Sequence, residues 1–233
     1  MRKRAVVGAV VGAVVLLSGC AAEEPPVRRA AGPTNGAATV SVRSLLDALP
    51  VRTETYGDRF DRDRFDYGGD LDPDGDGCWT RREVLIRDSI VPPTVSGRSC
   101  AVTGEWRSVF DGAVTRDPDA FTIDHTVPLL EAWRSGADGW TAQRLVAYGN
   151  DLGYRGSLRA VTAALNEDKG NADPATWLPP RDRCDYVSTW VAVKTRWGLA
   201  VDPDERDAIA RVLDGCGDAR IARPPAPDLD ALT

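Results

Sequence analysis

The chain contains a single histidine, His125, set in Phe121-Thr-Ile-Asp-His-Thr-Val-Pro-Leu129 with Asp124 directly before it. Imidazole titrates nearer neutrality than other side chains, so one copy beside a carboxylate is an evident general base or metal ligand. The alternative is a satisfied histidine in a half-buried loop. Forty-one residues further on comes Asn166-Glu-Asp-Lys-Gly-Asn-Ala-Asp-Pro174. Ahead of it, Leu158-Arg-Ala-Val161 is a short apolar run of the kind that makes a buried strand. The elements that must position the histidine are therefore a strand, Asp-His, a connecting segment, a short strand, then Asn-x-x-Lys opening a helix.

In that order the chain resembles the HNH nucleases, whose ββα-metal finger presents a general-base histidine from a strand and a metal ligand from the following helix. More narrowly, it resembles the secreted actinobacterial branch related to the C-terminal domain of GmrSD-type restriction enzymes. The residues carrying the likeness are Ile123-Asp-His-Thr-Val-Pro-Leu129, Glu131-Ala-Trp133, Asn150-Asp-Leu152, Ala160-Val-Thr162, Asn166-Glu-Asp-Lys-Gly170 and Asp173-Pro-Ala-Thr-Trp-Leu-Pro-Pro180.

The resemblance implies phosphodiester hydrolysis, which needs an activated water, neutralisation of charge on the phosphate and help for the departing oxygen. His125 would deprotonate the water while Asp124 and Asn166 hold one divalent ion, with oxygen donors that suit Mg²⁺ or Mn²⁺. Lys169, one helical turn beyond Asn166, would contact the phosphate as a point charge; its other description is a solvated surface lysine. Many HNH enzymes place an asparagine before the second finger strand to orient the histidine, and Ser157 stands there instead. The orienting partner is then Ser157 or Asn150, the latter also readable as a plain turn residue.

A second run with chemical content is Asp72-Pro-Asp-Gly-Asp-Gly-Cys-Trp-Thr-Arg-Arg-Glu83. Asp72, Asp74 and Asp76 fall at positions 1, 3 and 5 of an EF-hand loop, with glycine at 6 and Glu83 at 12, spacing that wraps a structural Ca²⁺. Pro73, Cys78 at position 7 and the lack of a preceding helix favour an acidic turn followed by a helix over residues 81–89.

Arg2-Lys-Arg4 and the uncharged run from Ala5 to Leu17 make residues 1–19 a signal peptide, too short in its apolar part for a comfortable membrane span. Leu17-Ser-Gly-Cys20 resembles a bacterial lipobox, which implies a lipid on Cys20 and a place on the outer face of the cytoplasmic membrane; cleavage without lipid would give a secreted protein. Residues 20–40 are rich in Ala, Gly and Pro and read as a disordered tether. Without the leader, 26 basic residues face 35 acidic ones, a formal charge of −9. That balance opposes tight, salt-driven nucleic-acid binding. A hydrolase needs only transient capture, and Arg134, Arg144, Arg155, Arg159, Lys169, Arg181 and Arg183 gather in and around the expected finger.

Apart from Cys20, four cysteines in an exported chain predict two disulfides. Tyr186, Trp190, Val193 and Trp197 share one helical face, predicting a helix over residues 184–198. Asp202-Pro-Asp-Glu205 reads as the capped start of another. A short turn between them makes an antiparallel hairpin that brings Cys184 beside Cys216, leaving Cys78 with Cys100. The expected fold is α+β: one domain over residues 41–220, with a loop-rich, mainly helical N-terminal portion, a ββα-metal finger at about 120–180, a helical hairpin at 184–216 and a flexible tail at 221–233.

Three functions compete. The first is a metal-dependent extracellular endonuclease, monomeric, cutting DNA in preference to RNA. The second is a calcium-binding envelope lipoprotein module with an inactive finger. The third is another hydrolase using Asp124 and His125, although one histidine excludes most zinc hydrolases and no nucleophile elbow is present.

Overall fold

The structure, a computed structural model, describes residues 39–55, 57–66, 71–72 and 75–229, all within the compact unit Ala37–Thr233. The signal peptide, Cys20, most of the tether, Asp74 and the last residues of the tail lie outside the described residues.

The chain opens with β1 (Thr39–Ser41) and α1 (Val42–Ala48), followed by α2 (Thr80–Asp88). Four short strands come next: β2 (Thr94–Ser96), β3 (Ala101–Thr103), β4 (Trp106–Arg107) and β5 (Val114–Thr115). The middle holds β6 (Phe121–His125), α3 (Leu129–Arg134), α4 (Ala142–Gly149), β7 (Leu158–Thr162) and α5 (Ala163–Lys169). It closes with α6 (Arg183–Trp197), α7 (Pro203–Asp214) and β8 (Arg220–Ala222). The class is α+β. Among the described residues the strands pair antiparallel in twos: β1 with β8, β2 with β3, β4 with β5 and β6 with β7.

The N-terminal portion thus carries more strand than its composition suggests. Strands of two or three residues, mostly exposed, leave no alternating pattern to detect. The pairing of β1 with β8 also moves both domain edges outward, because Thr39 and Val40 belong to the expected tether while Ile221 and Ala222 belong to the expected tail. Beyond β8 the tail is docked: Pro224 is buried, and the Leu229 carbonyl accepts from Gln143.

The pair β6–β7 lies between two apolar clusters. Successive strand residues face opposite sides. Phe121 and Ile123 with Leu158 and Ala160 therefore join Val84 and Leu85 of α2, Trp106 and the Cys78–Cys100 disulfide in a small cluster. On the other side lies the main core, built from α1, α3, α4, α6 and α7. Helix α7 starts as its sequence predicts: Asp202 accepts from the Glu205 amide, Glu205 accepts from the Asp202 amide, and Pro203 occupies the first turn. Cys184 and Cys216 are bonded, tying the start of α6 to the end of α7.

Tyr186, Trp190, Val193 and Trp197 are all buried, yet α6 is covered around most of its circumference rather than along one face. Among the residues buried on it is Lys194, which is fully enclosed. Its ammonium donates to Glu131 Oε1 at 2.7 Å, Ser135 Oγ at 2.9 Å, the Ala200 carbonyl at 2.9 Å and Glu205 Oε2 at 2.6 Å. Glu205 is held further by the Trp190 indole N–H. A buried charge is tolerated only when paired and hydrogen-bonded, and here α3, α6 and α7 supply the partners.

Removing the ammonium strands two buried carboxylates. Lys194→Met is expected to destabilise the domain by about 3–5 kcal/mol in denaturant unfolding, and a loss under about 1 kcal/mol, ordinary for a surface change, would contradict this account of the helical core.

Candidate functional site

The end of β6 and the last turn of α5 border a pocket of about 210 Å³ lined by Arg62, Asp124, His125, Pro128, Leu129 and Asn166, with Gly170 and Asn171 at its edge. Three residues singled out in the sequence, Asp124, His125 and Asn166, are therefore brought together. Register explains part of this: Asp124 pairs with Arg159 and His125 with Leu158, so both sit where the two strands leave the sheet.

His125 is buried, and its Nε2 lies 2.9 Å from the Gly149 carbonyl oxygen at the end of α4. A carbonyl only accepts, so Nε2 carries the proton and the lone pair resides on Nδ1. The ring stacks against Tyr148 at 6.3 Å, and the Tyr148 hydroxyl is fixed on the Val127 carbonyl at 2.6 Å. Burial drives the imidazole down to about 3, opposed by the Gly149 bond and reinforced by the charges of Arg62 and Lys169. It is neutral at pH 7, the state a proton acceptor needs.

The orienting partner is thus a backbone carbonyl, not Ser157 or Asn150. Ser157 Oγ donates to Asp151 Oδ2 at 2.6 Å. Asn150 Oδ1 accepts from Thr80 Oγ, and its amide nitrogen serves the carbonyls of Phe65, Asp66 and Val146. Asn150 caps α4 and braces the turn that presents the Gly149 carbonyl. Glycine is needed at 149, because a Cβ there would lie 2.5 Å from the Phe65 carbonyl oxygen.

Lys169 also departs from expectation. It is 1 % exposed, and its ammonium donates to both oxygens of Asp124, at 2.7 and 2.8 Å, and to the His125 carbonyl at 2.7 Å. A lysine so enclosed does not act as a phosphate contact at the surface; it is the counter-ion of Asp124. Burial pushes the carboxyl up and the ammonium down, and each opposes the other's shift by its charge. Asn166 and Lys169 close α5 rather than open it, since Thr162 stands at the N-cap and Gly170, at φ 52°, ends the helix.

Asn166 donates from Nδ2 to Thr122 Oγ1 at 3.0 Å, which fixes Oδ1, the end a hard cation takes, as the other end of the amide. Each Asp124 oxygen retains a second lone pair beside the one taken by Lys169. The donor set thus fits a hard divalent ion. The pocket's own cationic side chain, Arg62, was not anticipated; it lies in a 3-10 turn, Arg62–Phe65, far from β6, β7 and α5 in sequence and packed against α3 and α4. Of the arginines expected to gather there, several serve the fold: Arg155 pairs with Asp88, Arg159 with Asp185, and Arg144 reaches the Trp197 carbonyl.

In the acidic loop, Asp72 accepts from the amides of Gly75 and Gly77, and Asp76 from that of Cys78. Asp76 and Glu83 come within 4.8 Å of one another beside the Cys78 sulfur, and the helix that follows is Thr80–Asp88.

The chain matches the family described as GmrSD restriction endonucleases, C-terminal domain, over residues 79–212. It is also 36 % identical over 186 residues to an uncharacterized secreted protein of Arthroderma benhamiae, covering 79 % of this chain and 89 % of that protein. No solved structure matches.

The sole histidine makes one titration legible. In the folded protein the ring resonances are expected to hold the neutral, Nε2-protonated form from pH 8 to pH 5, and a midpoint near 6.5 would contradict the buried environment. The sign follows: the unfolded ring takes up a proton first, so this group's contribution to stability is complete above about pH 6.5 and is lost as pH falls toward 3.

Proposed function

The chain belongs to the family of GmrSD restriction endonuclease C-terminal domains, and from that premise we propose that it is a metal-dependent endonuclease hydrolysing phosphodiester bonds, DNA before RNA. The observation that carries the reading is the convergence of Asp124, His125, Asn166 and Arg62 on one pocket. The order β6, β7, α5, with the acid and histidine on the first strand and the asparagine on the helix, supports an HNH-type ββα-metal finger.

In this reading His125 accepts the proton of the attacking water at Nδ1, while the Gly149 carbonyl holds the opposite nitrogen and fixes the tautomer. Asp124 and Asn166 hold the divalent ion, Mg²⁺ or Mn²⁺, whose chemistry when bound is to polarise the phosphate and offset its charge. Lys169 keeps Asp124 ionised within the protein. Arg62 grips the phosphate, the task a guanidinium performs bidentately.

Export is part of the proposal. The Arg-Lys-Arg leader, two disulfides and a relative named as secreted support it, and Cys20 is the proposed lipid attachment point. Among the described residues no helix is long and apolar enough to cross a membrane.

The test is cleavage of supercoiled plasmid, with RNA in parallel, in Mg²⁺, Mn²⁺ or EDTA. Nicking with either ion and none in EDTA is expected. Asn166→Ala should raise the Mg²⁺ concentration needed for half-maximal rate. Arg62→Ala should raise KM for DNA roughly tenfold, the scale of one charge-assisted hydrogen bond. Cleavage undiminished by EDTA would overturn the reading.

A further inference from the structure

A second group of acids lies apart from the residues lining the His125 pocket. Glu54 from the segment after α1, Glu131 from α3 and Asp173 from the turn after α5 each place an oxygen within 4.8 Å of the other two. Glu131 is 1 % exposed. Its Oε1 is satisfied by Ser135 and Lys194, but no donor faces its buried Oε2, and Glu54 Oε1 is in the same condition. Buried polar atoms are almost always paired, so two carboxyl oxygens facing no donor need either a proton held between them or a cation.

The neighbouring cations do not fill that need. Lys194 is divided between the other oxygen of Glu131 and Glu205, and the Arg134 guanidinium stays 3.8 Å from Glu54 Oε2. Asp202 adds negative charge while capping α7. A cavity of about 450 Å³, bordered by Thr53, Glu54, Asp173, Thr176, Asp202 and Asp204, opens the cluster to solvent.

We propose that Glu54, Glu131 and Asp173 bind a calcium ion. Two ligands on one ion can be no further apart than twice the bond length, which is about 4.6–5.2 Å for Ca²⁺ and about 4.0–4.2 Å for Mg²⁺. Oxygens within 4.8 Å of one another can share a single ion, and the cavity leaves room for the waters that complete the larger, more flexible shell of calcium. The ion would join three chain segments, two of them belonging to or following α3 and α5, the helices beside the His125 pocket. This site is independent of the nuclease reading.

Without the ion, a proton shared between Glu54 and Glu131 relieves the repulsion. Burial, then the hydrogen bond and charge of Glu131, push Glu54 up to about 8, with Arg134 opposing and Asp202 adding. Asp173 is raised by burial and by the charges of Glu131 and Asp202, while Lys194 holds Glu131 low against its burial. Calcium must displace the shared proton, so its affinity should rise by roughly tenfold per pH unit below 8.

The exported protein, stripped with EGTA, is titrated with CaCl₂ and MgCl₂ by calorimetry and thermal melting, beside Glu54→Gln, Asp173→Asn and the loop variant Asp76→Asn. Glu131 is left intact because Lys194 depends on it. Expected are calcium binding that tightens from pH 6 to 7, a Tm raised by calcium more than by magnesium, and at least tenfold weaker binding in Glu54→Gln and Asp173→Asn. Asp76→Asn should retain the event. Melts in EGTA keep folding separate: Glu54→Gln replaces a carboxyl that already holds a proton at neutral pH with a neutral amide and should be about as stable as wild type there. Absent calcium binding, calcium binding equal in wild type and both site variants, or loss only in Asp76→Asn would overturn the proposal, the last assigning the ion to the acidic loop.

Discussion

An ammonium group closed off from water costs several kcal/mol unless oxygen atoms surround it, and in this fold that requirement at Lys169 ties the site together. Its three acceptors are both oxygens of Asp124 and the carbonyl of His125, all at the last two positions of β6. The final residue of α5 is thereby drawn onto the end of β6, and Asn166, one turn earlier, is carried to the same pocket. Phe110 and Tyr186 close over the ammonium with their ring centres at 5.8 and 6.0 Å. Lys194 solves the same problem in the helical half with Glu131 and Glu205. One lysine ties α5 to β6, and the other ties α6 to α3 and α7.

Burial then does opposite things to the two neighbours on β6. Burial pushes the Asp124 carboxyl up against the opposing charge of Lys169, whereas His125 is kept neutral, its ring proton spent on the Gly149 carbonyl. A proton acceptor beside an anionic oxygen donor is the arrangement that water activation next to a hard ion requires. The overall negative charge of the chain fits it as well: the arginines near the site largely hold the fold, leaving Arg62 as the guanidinium that lines the pocket.

The legible parts of this structure were those written locally. The aromatic periodicity of α6, the Asp202-Pro203-Glu205 cap, the apolar run at β7 and the pairing of four cysteines all follow from neighbours in sequence. Asp124, His125 and Asn166 were legible by type and order. Three things were not. A carbonyl has no sequence signature, so Gly149 as the histidine's partner was hidden, though a glycine between Tyr148 and Asn150 hinted at close approach. Lysine is usually solvated, so only the tertiary fold reveals Lys169 as buried. Arg62, Glu54 and Asp173 reach their places through loops and turns whose course no periodicity encodes.

The claim on which the account turns is that His125 takes the proton from water. The most direct measurement is single-turnover cleavage of plasmid by His125→Ala in saturating metal, with and without added imidazole. A rate lower by about 10²–10⁴, partly restored by imidazole in a protein that melts like wild type, is the predicted result. Cleavage by His125→Ala at the native rate would contradict it.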